Sequence, residues 1–336
     1  MTEPAFEPIR LDTPEDLRVL MKAEHAASDE QWAAITAPLR PTVVVAGAGS
    51  GKTTLMAQRV VWLVATGKVR PEEVLGLTFT TKAAAELRQR VTKALGDAGL
   101  LDRSVVAEGE DVLEPTVATY HAYAANLLTD HGLRIGHEPD TRVVSDASRY
   151  QLGARVIERF TGHIELLTDH PATAIQNLLA LDGAMSEHLV GPDDVRRTDE
   201  EARRGFERAV EEERAGKARK TYLEPPAKAI NAIDRRAELL QLVEGYRRLK
   251  ADLGLMDFGD QIALAARLVE DQPEVGEIER GRFKVVLLDE YQDTSVAQAT
   301  MLARLFSGPD VEHGLGHPVM AVGDPNQAIY GWRGAS

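Results

Sequence analysis

The stretch Val43-Val44-Val45-Ala46-Gly47-Ala48-Gly49-Ser50-Gly51-Lys52-Thr53 runs from an apolar segment through a glycine-rich turn into a helix-patterned segment. Consecutive β-branched residues without polar alternation suggest a buried parallel strand over residues 43–46, and the pattern after the turn predicts a helix over residues 52–64. Strand, glycine-rich turn and helix in that order form the context of a phosphate-binding loop. Gly47, Gly49 and Gly51 lack a Cβ, so the backbone N–H groups of residues 46–51, including Ala46, Ala48 and Ser50, can curl around phosphate oxygens at the positive end of the following helix. Lys52 would neutralise the β- and γ-phosphates, and the Thr53 hydroxyl would ligate Mg²⁺. The strict pattern has Gly where this chain has Ala46, a mild change at a strand exit.

A second apolar run, residues 285–288, ends in Asp289-Glu290. The end of a buried strand in an open α/β sheet is where ligands collect. Asp289 suits Mg²⁺ coordination and Glu290 suits a base that orients or deprotonates an attacking water. Apolar runs at 74–80 and 319–323, and a helical pattern at 82–95 with Leu87, Val91 and Leu95 on one face, complete an α/β reading: a P-loop NTPase with a RecA-like parallel sheet. Lys52 and Asp289 are 237 positions apart (289 − 52), which calls for an insertion. Residues 147–253 fit one, being charged and helix-patterned, with Ile230, Ile233, Ala237, Leu240 and Leu249 near one stripe. The expected organisation is thus residues 1–146 and 254–336 as one RecA-like domain around an inserted helical domain, 147–253. The Glu- and Arg-dense segment 193–220, with Arg214, Lys217, Arg219 and Lys220, reads as a solvated helix face.

Composition narrows the function classes. With 336 residues and 43% hydrophobic content the chain can bury more than one core. Asp and Glu outnumber Lys and Arg by 53 to 39, a net charge of −14, which excludes bulk-charge coating of nucleic acid; any such contact is local. The absence of cysteine excludes disulfides and Cys-ligated metal within the chain. The acidic, proline-bearing N-terminus does not read as a signal peptide, and the most apolar windows, 42–48 and 60–65, are too short to span a bilayer. A cytoplasmic, membrane-free protein is expected. His313 and His317 are separated by glycines and read as a solvated loop rather than a metal site.

Six blocks then occur in an order that resembles the UvrD/Rep/PcrA-like superfamily 1 DNA helicases. They are Asp29-Glu30-Gln31, residues 46–54, Leu77-Thr78-Phe79-Thr80-Thr81-Lys82-Ala83-Ala84-Ala85-Glu86, Thr119-Tyr120-His121, Leu288-Asp289-Glu290-Tyr291-Gln292-Asp293-Thr294, and residues 322–335, which contain Gly323-Asp324-Pro325-Asn326-Gln327 and Tyr330-Gly331-Trp332-Arg333. Met256-Asp257-Phe258 is a looser seventh. The resemblance implies that Gln31 reads adenine, that Gln327 senses the γ-phosphate, and that Lys52, Glu290 and Gln327 serve catalysis. It assigns Phe79, Thr80, His121, Tyr330, Trp332 and Arg333 to single-stranded DNA, whose bases stack on aromatic faces. It also implies ATP and Mg²⁺ as cofactors, single-stranded DNA and duplex junctions as partners, and 3′ to 5′ movement. Read from the residues alone, Phe79 instead continues the alternation of Leu75 and Leu77 and belongs to a buried strand face.

Two departures stand out. Many family members place Arg after Gly-Lys-Thr, where this chain has Thr54. The last block often reads Gly-Asp-Asp where this chain has Gly323-Asp324-Pro325, as in a divergent branch such as a helicase–nuclease subunit. The 336 residues are expected to hold a single RecA-like domain, without the second that the family's motors use, and so to be an incomplete motor. A P-loop kinase, using the same Lys52, Thr53 and Asp289, and a non-catalytic DNA-binding module are the alternative classes. DNA stimulation of ATP turnover separates motor from kinase, and any turnover separates motor from inert module.

Overall fold

A computed structural model of the chain describes residues 7–101, 113–138, 141–162, 164–168 and 170–329. In chain order the elements are α1 (Pro14–Leu20), α2 (Asp29–Ile35), β1 (Thr42–Val45), α3 (Lys52–Ala65), β2 (Val74–Thr78), α4 (Thr81–Asp97), β3 (Thr116–Thr119) and α5 (Tyr120–His131). There follow β4 (Arg142–Val143), α6 (Asp146–Arg159), α7 (Pro171–Glu187), α8 (Pro192–Ala215), α9 (Lys220–Asp252) and β5 (Leu255–Met256). The last are α10 (Phe258–Asp271), α11 (Pro273–Arg282), β6 (Val285–Leu288), α12 (Val296–Phe306) and β7 (Val319–Gly323).

The chain forms two compact units. One takes the residues up to Gly136 and from Leu264 onward; the other is His137–Ala263. In the first, five strands pair in the order β1-β7-β6-β2-β3, all parallel. Parallel strands need crossovers, and the helices between them supply these and bury the sheet. β2 and β6 are buried along their whole length, and Val60, Val64, Leu87, Val91, Val285 and Val322 share one core. β1 differs from the buried strand expected from sequence. It is an edge strand among the described residues, and the side chains of Val43 and Val45 are 72% and 68% exposed. A run of valines fixes strand propensity but not whether both faces are covered. β3 is a strand that the sequence reading does not include: Thr116, Val117 and Thr119 favour strands, but four residues are a short run, and Thr119 reads from sequence only as the start of the Thr119-Tyr120-His121 block.

The second unit packs α6, α7 and α9 around Leu152, Val156, Leu178, Leu240, Val243 and Tyr246, with the short parallel pair β4 and β5 beside them. The Lys250 ammonium is 3% exposed and donates to Asp182 (3.1 Å), Asp257 (3.1 Å) and Asp260 (2.7 Å). Arg247 adds a bond to Asp182 (2.6 Å) and Arg149 an ion pair to Asp257 (3.2 Å). Three cations thus balance three carboxylates, the condition under which a buried charge cluster is tolerated. Asp257, from the loosest of the sequence blocks, is placed in this network.

Candidate ATP site and DNA track

The sheet order explains why residues far apart in sequence meet. β7 lies between β1 and β6, and the pairs Val45↔Gly323 and Leu288↔Ala321 bring all three C-terminal ends together. The loop after β1, the acidic pair after β6 and the segment after β7 therefore open on one spot. This is the carboxyl edge of an open α/β sheet, where ligands bind.

The glycine-rich loop takes the shape its residues allow. Gly49 and Gly51 have φ of 76° and 80°, a region that side chains disfavour. Gly51 N-caps α3 without a side-chain bond, so the first N–H groups of a 14-residue helix carry no side-chain cap. Uncapped N–H groups at a helix N-terminus are what a phosphate group would require. Ser50 closes the loop on the Gly47 carbonyl (2.8 Å), and the Ala46 N–H continues the β1–β7 pairing by donating to the Gly323 carbonyl (3.0 Å). Lys52 starts α3 and donates to Glu290 Oε2 at 2.8 Å.

Glu290 has φ of 50°, left-handed for a residue with a side chain, and this turn aims it back at Lys52. Its backbone N–H donates to Asp289 Oδ1 (3.0 Å). Burial pushes the Asp289 carboxyl up to about 6, and the neighbouring Glu290 charge adds to it. Burial also acts to raise Glu290, but hydrogen bonds from Gln292 and Lys52 outweigh it and leave the group below its usual range. Asp289, buried after β6, and the Thr53 hydroxyl in the first turn of α3 would hold a divalent cation, which would neutralise charge on phosphate oxygens. After β7, Gln327 Nε2 donates to Asp324 Oδ2, whose carboxylate lies over the loop, 3.9 Å from where a Cβ on Gly47 would be.

Sequence reasoning missed three contributors. Gln292 donates to Glu290 Oε2 (2.8 Å) and accepts from the Asp324 N–H (3.0 Å). Arg59, 1% exposed on α3, donates to the carbonyls of Ala34 (3.1 Å), Ile35 (2.9 Å) and Ala37 (3.0 Å). It thereby caps the C-terminus of α2 and ties that helix to α3. This fixes Gln31, which donates to the Ser50 carbonyl (3.1 Å) and accepts from the Ser28 N–H (3.0 Å) in a capping box. Arg90 of α4 donates to Thr54 Oγ1 (2.9 Å). A guanidinium thus reaches the first turn of α3 from a different element than the residue after Thr53.

Among known families, the chain matches the UvrD/REP helicase N-terminal domain over residues 27–336. The chain belongs to that family. Relatives include the ATP-dependent DNA helicase PcrA of Staphylococcus aureus, 29% identical over 91% of this chain and 34% of its own length. DNA helicase II of Escherichia coli is 28% identical over 92% of this chain and 35% of its own length, and that of Haemophilus influenzae 25% identical over the same shares. The chain spans about a third of the length of the curated relatives it matches.

Membership in the UvrD/REP family directs attention to the residues that the resemblance gave to DNA. β2 stops at Thr78, so Phe79 is not the buried strand residue that its alternation with Leu75 and Leu77 suggested. It is half-buried, its ring 5.1 Å from that of Tyr120 at 59°. Thr80 N-caps α4 by accepting from the Ala83 N–H (3.0 Å). His121 is the second residue of α5, directly after β3. The parallel pairing of β2 and β3, Thr78 opposite Thr119, sets Phe79–Thr80 and Tyr120–His121 side by side at the same sheet edge. Tyr330, Trp332 and Arg333 lie outside the described residues. Among the described residues, no helix is long and apolar enough to cross a membrane. His317 is not the solvated loop residue expected: its ring stacks on Phe306 at 5.6 Å, and burial pushes it down to about 4.

Proposed function

We propose that this chain is the N-terminal, ATP-binding part of a 3′ to 5′ DNA helicase that in its complete form hydrolyses ATP, moves along single-stranded DNA and separates duplexes in repair or recombination. The observation that carries the reading is the meeting of Lys52, Glu290, Asp324 and Gln327 at the ends of three adjacent parallel strands. In this reading the N–H groups of residues 47–53 and the Lys52 ammonium hold the phosphates. Asp289 and the Thr53 hydroxyl would hold Mg²⁺, which neutralises charge on the phosphate oxygens. Glu290 takes a proton from a water whose oxygen attacks the γ-phosphorus, while the bond from the γ-phosphorus to the bridging oxygen breaks and ADP leaves with that electron pair.

Lys52 and Asp324 hold Glu290 and Gln327 in their resting arrangement. γ-Phosphate draws Lys52 from Glu290 and offers Gln327 a new acceptor. Phe79, Thr80 and His121, together with Tyr330, Trp332 and Arg333, are assigned to the DNA strand, and stacking is worth about 1–3 kcal/mol per base. Single-stranded DNA and duplex junctions are the partners.

The test is Lys52→Ala. Binding of a fluorescent ATP analogue is expected to fall at least about tenfold, because the change removes the ammonium that would hold the phosphates, and DNA-stimulated phosphate release by the full-length protein is expected to vanish. Unchanged analogue binding would assign the nucleotide elsewhere.

A further inference from the structure

We propose that Gln292 is a positioning residue: its amide keeps Glu290 in place once Lys52 has moved to the phosphates, and does so from an anchor on the segment that carries Gln327. The proposal rests on the reading of Glu290 as the base. In the resting site Glu290 Oε2 accepts two bonds of equal length, 2.8 Å from Lys52 Nζ and 2.8 Å from Gln292 Nε2. Only one of these donors is available throughout a turnover. An ammonium has one charge to give, and nucleotide phosphates compete for it; a neutral amide is not drawn away.

The amide is oriented at both ends. Gln292 Oε1 accepts from the Asp324 N–H at 3.0 Å. A flipped amide would set oxygen against carboxylate and NH₂ against N–H, so the two contacts allow one orientation. The approach is possible because position 323 is glycine. A Cβ there would lie 2.4 Å from Gln292 Oε1 and 3.2 Å from the Gln292 backbone nitrogen. A second tie runs beside the first, from the Ile329 N–H to Asp293 Oδ1 (3.0 Å), and Asp293 is buried. The turn after β6 and the segment 324–329 are thus stitched across two adjacent strand ends. Gln327 shares the second of these elements, and its own resting partner is Asp324. A change in the Gln327–Asp324 pair when γ-phosphate arrives is therefore felt at Glu290 through one side chain.

The test is steady-state ATP turnover by the full-length protein with saturating single-stranded DNA, alongside fluorescent ATP-analogue binding and thermal stability. Gln292→Met keeps length and removes both bonds. It is expected to lower kcat about tenfold or more while KM and analogue affinity stay within about twofold, the split that marks an interaction used in the transition state alone. Gln292→Glu keeps the acceptor for the Asp324 N–H but turns a carboxylate against Glu290, and is expected to fall at least as far. A residue serving only as a structural strap predicts the opposite ranking, with Gln292→Glu near wild type. Gly323→Ala, which pushes the amide aside without deleting it, is expected to reproduce the kcat loss and covers the case in which Gln292→Met does not fold. A kcat within threefold of wild type in Gln292→Met or Gly323→Ala, or Gln292→Glu outperforming Gln292→Met, overturns the proposal. Failure of the underlying reading looks different: Glu290→Gln would then itself turn over at the wild-type rate.

Discussion

Glu290→Gln separates two roles of one carboxylate, base in turnover and counter-ion at rest. Lys52 and Glu290 sit 2.8 Å apart with side chains 11% and 38% exposed. At that distance the bare attraction is about 6 kcal/mol at an effective dielectric constant near 20. Desolvation of both groups and the open side of Glu290 reduce the net worth to about 1 kcal/mol. ATP must break this pair before its phosphates can take Lys52, so the pair weakens nucleotide binding by that amount. Replacing the carboxylate with an amide removes the competitor and leaves the bond from Gln292 without its charged acceptor. The expected result is ATP-analogue affinity raised about fivefold, the equivalent of 1 kcal/mol, with turnover lowered by about 10² to 10⁴. Equilibrium titration of a fluorescent ATP analogue measures the first and phosphate release with saturating single-stranded DNA the second. Affinity reduced tenfold would show that Glu290 helps hold the nucleotide rather than compete with it, and undiminished turnover would remove it from the role of base.

Three other parts of the molecule give outcomes of their own. Trp332→Ala is expected to weaken single-stranded DNA binding more than Arg219→Ala, because Arg219 is already held by Glu213 (2.9 Å), pulling that carboxyl down to about 2, and lies over the Tyr222 ring at 4.0 Å; a titration of both variants at fixed salt decides it, and the reverse ranking would move the DNA track to α9. Lys250→Met leaves Asp182, Asp257 and Asp260 facing one another, so urea unfolding of the His137–Ala263 unit is expected to lose about 3–5 kcal/mol, and a loss under about 1 kcal/mol would mean that Arg149 and Arg247 suffice. His317 is half-buried, and desolvation depresses its folded value to about 4 from 6.5. The unfolded chain therefore takes up the proton first, and stability present above pH 6.5 is lost as pH falls toward 4. After discount for partial exposure, His317→Gln is expected to remove about 1–2 kcal/mol of the stability difference between pH 7.5 and 4.5, and an unchanged difference would rule this out.

The pieces whose physics is local can be read along the chain. Residues 43–53 form strand, turn and helix because valines, positive-φ glycines and a helix start follow one another directly, so this strand–turn–helix unit is contiguous and legible. The same holds for Asp289-Glu290 after a four-residue apolar run, and for the long helices of residues 147–253. Tertiary structure decided what spacing cannot encode. β1 became an edge strand with Val43 and Val45 outward because neighbours, not propensity, cover a face. Phe79 left the strand alternation because β2 ends one residue earlier. Arg59, Arg90 and Gln292 entered the site through contacts spanning 22 to 36 positions, the first two between packed helices and the last across the paired ends of β6 and β7. An arginine on a helix or a glutamine after an acidic pair carries no mark of its partner in the chain. Only the folded chain brings their acceptors within 3 Å or so, where a hydrogen bond begins to count.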